Sequence, residues 1–90
     1  MSTFLIGYDL DKPGQHYARL EAEIKSLGGW WHNLDSTWLV VSGLSYTQVR
    51  DRLRDALDAN DKLLVIDVSG DSAAWSGFSE AAGQWIKSNL

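Results

Sequence analysis

Twelve acidic residues, two histidines and no cysteine set the chemistry open to this 90-residue chain. Without cysteine there is no thiolate nucleophile, disulfide or zinc–thiolate site. His16 falls near the first turn of an expected helix and His32 among tryptophans in an expected strand, so the pair has no reason to meet. His32 therefore reads as a structural, partly buried histidine. No glycine-rich phosphate loop, nucleophile elbow or metalloprotease pattern is present. The carboxylates remain, and Asp9 stands out because it closes the apolar run from Thr3 to Tyr8. Magnesium takes oxygen ligands, often one or two carboxylates with waters and substrate phosphates. Such an ion activates water for phosphodiester hydrolysis. On that chemistry Asp9 and Ser36 are the candidate catalytic residues, with Ser36 positioning phosphate, and Asp9, Asp35 and Asp61 are the candidate Mg2+ ligands. The local alternative is that Asp35 and Asp61 serve their own turns and Asp11 caps a helix.

The elements that must position these groups follow from periodicity. In Thr3–Asp9, Phe4, Ile6 and Tyr8 point one way and Leu5, Gly7 and Asp9 the other, as a central strand covered on both sides requires. A turn at Asp11-Lys12-Pro13-Gly14 leads into a helix from about Gln15 to Leu27, with Tyr17, Leu20, Ile24 and Leu27 as its apolar stripe. Glu21 and Lys25 are spaced for an outward ion pair, and Gly28-Gly29 ends the helix. Trp30–Leu34 and Thr37–Ser42 read as strands around a tight turn at Asp35-Ser36. Ser45 and Gln48 form a capping box that opens a helix to about Ala59, with Val49, Leu53 and Leu57 buried. The arginines of this helix alternate with aspartates, which reads as a solvated, ion-paired face. Lys62–Val68 is a fourth strand. The tail from Ala73 to Leu90 holds Trp75, Phe78 and Trp85, with a short helix from Ser79, and its apolar content requires it to dock.

The order β-α-β-β-α-β plus a tail predicts one α+β domain, a ferredoxin-like antiparallel sheet with both helices on one face. Its expected strand order, 4-1-3-2, gathers Asp9, Asp11, the Asp35-Ser36 turn and Asn60-Asp61 on one rim. Strands one, three and four are apolar on both sides, so the face without helices needs a cover. A second copy of the chain is the expected one, with the tail as a further candidate.

Composition narrows the partners. The net charge of −4 argues against broad, non-specific binding of nucleic acid. No apolar run reaches the ~20 residues of a membrane span, and no signal-peptide pattern opens the chain, so no membrane partner is expected and the cytoplasm is the expected location. Three of the five tryptophans, Trp30, Trp31 and Trp38, fall close together. Core and interface packing is the simpler reading of them, and stacking of a small ligand the alternative.

Three strings, Y-D-L-D-K-P-G-Q-H-Y, G-G-W-W-H-N-L-D-S-T-W and D-A-N-D-K-L-L-V-I-D-V, resemble a bacterial family known as SinR family proteins, over about Phe4 to Gly70. More distantly, the strand ending in Tyr8-Asp9 looks like that of the small CRISPR adaptation subunit and of the virulence-associated protein D ribonucleases. That resemblance implies a ferredoxin-like homodimer and a metal-dependent nuclease with its key aspartate at Asp9. This chain departs from those families in its acidic charge and Trp-rich strands. The expected function is a dimeric, nuclease-related protein, a Mg2+-dependent endoribonuclease, and the expected partners are a second copy of the chain, RNA or DNA, or another protein. The alternative is a non-catalytic protein–protein interaction or regulatory subunit of the same fold.

Overall fold

The computed structural model describes residues 1–12 and 17–90. The Pro13-Gly14 turn, the helix start at Gln15 and His16 lie outside the described residues. The elements run β1 (Ser2–Asp9), α1 (Ala18–Ser26), β2 (Gly29–Leu34), β3 (Thr37–Ser42), α2 (Tyr46–Arg54), β4 (Lys62–Asp67) and α3 (Glu80–Asn89). The four strands form one sheet in the order β2-β3-β1-β4, antiparallel at every step. β1 thus lies inside, pairing Leu5 with Leu39 on one side and with Ile66 on the other.

Strand alternation divides the apolar residues between two cores. On one face Phe4, Ile6, Trp38 and Val40 pack against Leu20, Ile24 and Leu27 from the first helical region and Val49 and Leu53 from α2. α2 is opened by the expected capping box: Ser45 Oγ accepts from the Gln48 N–H (3.2 Å) and Gln48 Oε1 from the Ser45 N–H (2.9 Å). It ends at Arg54, short of the expected Ala59. There the backbone bonds tighten to three-residue steps, Ala56 N–H to Leu53 and Leu57 N–H to Arg54, and the chain bends toward β4.

The α2 arginines are paired as expected, and one reaches further. Arg50 and Arg54 both meet Asp51, whereas Arg52 crosses to Glu23 of α1 (3.2 Å). Lys25, expected to pair with Glu21, lies instead with its Nζ 4.8 Å from the centre of the Trp30 ring.

The second face is covered by the chain's own tail. Trp31, Leu39, Ala82 and Ile86 form a second core, flanked by Leu5, Val68, Phe78, Trp85 and Leu90. Ser79 caps α3 through the Ala82 N–H, and the Trp31 indole N–H donates to the Ala82 carbonyl (3.1 Å). At the far end of α3 the buried Thr3 hydroxyl donates to the Asn89 carbonyl. The expected uncovered face is therefore only partly uncovered: α3 screens its β2–β3 side, while Leu64 and Ile66 of β4 stay exposed.

Close approach fixes the residue at two glycines. At Gly28 a Cβ would run into the Val41 carbonyl oxygen. At Gly83, on the buried side of α3, it would lie 2.9 Å from Trp75 Nε1. Trp75 thus rests on the surface that Gly83 leaves open. Gly83→Ala is expected to displace Trp75 and cost about 1–3 kcal/mol, as overpacking does. A lowered urea midpoint with a red-shifted tryptophan emission checks this; unchanged emission counts against the Trp75 seat.

Candidate functional site

The expected rim forms as backbone geometry. The Tyr8 N–H donates to the Ser36 carbonyl (3.1 Å), which brings the β2–β3 turn against the end of β1. The Asp11 N–H donates to Asp61 Oδ1 (2.8 Å), which brings in the segment before β4. The side chains do not converge in the same way. Among the described residues no three His, Cys, Asp or Glu come together as a group able to hold a metal ion.

Asp61 is committed to the fold. Its Oδ1 accepts from the Asp11 N–H and, at 3.1 Å, from the Tyr17 hydroxyl, and its Oδ2 accepts from the Asp58 N–H (2.8 Å). One carboxylate therefore ties together the exit of β1, the start of α1 and the α2–β4 connection. The Asp11 N–H, above all, holds the carboxyl below its ordinary value, helped by the Asp58 N–H and the Tyr17 hydroxyl. Partial burial, then the bond to Asp61, raises the Tyr17 phenol. The sequence pattern places Tyr17 only in an apolar stripe, and nothing in its spacing marks it as a partner of Asp61. Asp11 is not a helix cap: the N-cap of α1 is Tyr17, with no side-chain cap.

Asp35 and Ser36 lie exposed in the β2–β3 turn. His32 Nε2 donates to the Asp35 carbonyl oxygen (3.3 Å), and its ring stacks on Trp38 with centroids 3.7 Å apart and planes within 12°. His32 is thus a structural, half-buried residue, as its setting among tryptophans suggested. Asp9 is exposed at the end of β1, opposite Lys62 of β4. Both line a shallow depression of about 250 Å3 with Gly7, Tyr8, Leu63 and Leu64.

The three clustered tryptophans do not make one stacking site. Trp38 is fully buried in the helix-side core, its indole N–H donating to the Tyr8 hydroxyl (3.0 Å), and Trp30 tilts against it at 5.5 Å. Trp31 belongs to the opposite core, under α3. No family model and no solved structure matches the chain. Among the described residues no helix is long and apolar enough to cross a membrane.

Sequence pattern missed the outer side of β4. Its apolar run reads as buried on both faces, yet Leu64 is 56% and Ile66 43% exposed, because β4 is the last strand of the sheet and α3 stops short of it. Beside this edge Tyr46, Thr47 and Arg50 of α2 and Leu63, Leu64 and Val65 of β4 line a groove of about 190 Å3.

The depressed Asp61 carboxyl gives a pH test. A carboxyl depressed in the folded state stabilises above its unfolded value, 3.8, and that contribution is lost as pH falls through the lower folded value. Asp61→Asn is expected to lower the urea midpoint at neutral pH, with the gap to wild type closing on acidification below about 3.8. Asp9→Asn is expected to leave the midpoint unchanged at neutral pH. Equal losses from both substitutions would contradict the division of roles.

Proposed function

We propose that the protein is a ferredoxin-like interaction module that acts as a homodimer, the β4 edge of one copy pairing with the β4 edge of another. The order β2-β3-β1-β4 with α1 and α2 on one face supports the ferredoxin-like assignment. The exposed apolar edge of β4 carries the dimer reading. An outermost strand presents unpaired N–H and C=O groups and invites another strand unless it is blunted. The opposite edge is blunted: β2 is irregular between Trp31 and Leu34. β4 is six residues long, keeps regular register with β1 from Lys62 to Asp67, and carries its one basic residue, Lys62, at the end.

β4 is also self-complementary. Antiparallel pairing centred on Val65 sets Leu64 opposite the partner's Ile66, and Ile66 opposite the partner's Leu64, all on the face that α3 leaves bare. Burying the exposed halves of four such side chains contributes about 1 kcal/mol each, with a short ladder of backbone bonds beside it. This about offsets an association cost of at least ~4 kcal/mol, so the ladder, at ~1 kcal/mol per bond, leaves a dimer of tens-of-micromolar to millimolar affinity.

A second reading, Mg2+-dependent cleavage of RNA, rests on Asp9, whose exposed carboxylate shares a depression with Lys62. It is consistent with the resemblance to nuclease families. With Asp61 occupied by backbone donors, Asp9 would hold the ion largely through water and substrate phosphate. Loss of Mg2+-dependent cleavage in Asp9→Asn supports this reading, and cleavage that survives the substitution removes it.

Sedimentation equilibrium tests the dimer directly. Wild type is expected to dimerise reversibly at tens to hundreds of micromolar, and the Leu64→Lys/Ile66→Lys double variant to stay monomeric with an unchanged circular dichroism spectrum. Leu34→Lys, at the other edge, should dimerise like wild type. A monomeric wild type at these concentrations, or a dimer that survives the double substitution, overturns the proposal.

A further inference from the structure

The segment between β4 and α3 does not lie flat on the sheet. Between the second sheet face and the strap 71–78 is a cavity of about 370 Å3. It is an open pocket rather than an enclosed void, bounded by the sheet face on one side and the exposed strap on the other. It is within the range of small-molecule pockets.

The walls are built and held. Leu5 and Leu39 from the sheet and Ile86 from α3 are apolar, and Trp31, Trp75 and Phe78 add aromatic surface. Trp31 is fixed by its N–H bond to Ala82 and stands edge-on to Phe78, with centroids 5.0 Å apart at 79°. Trp75 is seated at Gly83, so it stands as a wall of the space. At the start of the strap the Asp71 N–H donates to the Val68 carbonyl (3.0 Å).

The lining also has a sign. Among the described residues Asp71 is the one charged side chain in the lining, with no Lys or Arg beside it. Aromatic faces attract cations and repel anions, and the net charge of −4 adds to the same preference at longer range. These features select against fatty acids and aromatic carboxylates of suitable size. We infer that this cavity binds a small molecule with a planar apolar body and a cationic amine head, the body among Leu5, Leu39 and Ile86 and the head toward Asp71. None of the exposed β4 residues lines the cavity, so the inference is independent of dimerisation.

Three probes of one shape and different charge test it: 2-naphthylmethylamine, 2-naphthylmethanol and 2-naphthoate. Titration calorimetry of the full chain is expected to give saturable one-to-one binding of the amine. The alcohol should bind several-fold more weakly, and the carboxylate about tenfold or more below the amine, as ~1.4 kcal/mol of charge discrimination implies. Amide and indole NMR signals of Leu5, Trp31, Leu39 and Ile86 should shift together. Asp71→Asn should bring the amine down to the level of the alcohol, and Ala74→Trp, on the exposed strap, should block all three probes. Failure of the amine to saturate, shifts mapping elsewhere, a carboxylate that binds as well as the amine, or an Ala74→Trp variant that still binds would each overturn the inference. Circular dichroism and the methyl NMR spectrum confirm that both variants remain folded.

Discussion

The rest of the structure depends on a strand that is apolar on both sides. β1 sends Phe4 and Ile6 into one core and Leu5 into the other, and it is hydrogen-bonded along both edges. A two-layer sandwich buries one of these faces and leaves Leu5, Leu39 and Trp31 in water. The chain resolves this with a third layer. α3 returns across the second face and is anchored at both ends, through Trp31 to Ala82 near its start and Thr3 to Asn89 near its finish. Both anchors join residues more than fifty positions apart, so this layer is held by long-range contacts rather than by its local sequence.

Because that layer is narrow, it leaves two consequences. α3 carries three buried residues, Ala82, Gly83 and Ile86, enough to cover the β2–β3 side but not β4. The strap leading to it must span the sheet face, and its bulk is drawn toward α3 where Trp75 meets Gly83. The exposed edge of β4 and the cavity beneath the strap thus have the same cause: a cover smaller than the apolar face below it.

Much of this was legible in the sequence. Alternation in Thr3–Asp9, the Ser45–Gln48 capping box and the Ser79 helix start all specify local structure through residues a few positions apart, and each lies where the pattern put it. The strap was not legible, because residues 71–78 follow no period and their place is set by contacts with Trp31 and Gly83. The rim was legible in part. Topology alone brings Ser36 to Tyr8 and Asp61 to Asp11. It does not say whether an aspartate on the rim faces solvent or the backbone, and that direction decides between a metal ligand and a structural brace.

Asp61 and Asp9 show how much depends on that direction. Both are aspartates at the same end of the sheet, and Lys62, the neighbour of Asp61 in sequence, is paired in register with Asp9. Asp61 precedes a strand and sits where three connections converge, so unpaired N–H groups surround it and its charge is used to satisfy them. Asp9 is exposed at the end of a strand and paired in register with Lys62 of β4, and its carboxylate is not drawn into bracing the connections as that of Asp61 is. Four acidic residues on one rim therefore carry less information than their number suggests. A carboxylate is available for chemistry only where it is not itself taken up by the backbone around it, and on this rim Asp9 meets that condition where Asp61 does not.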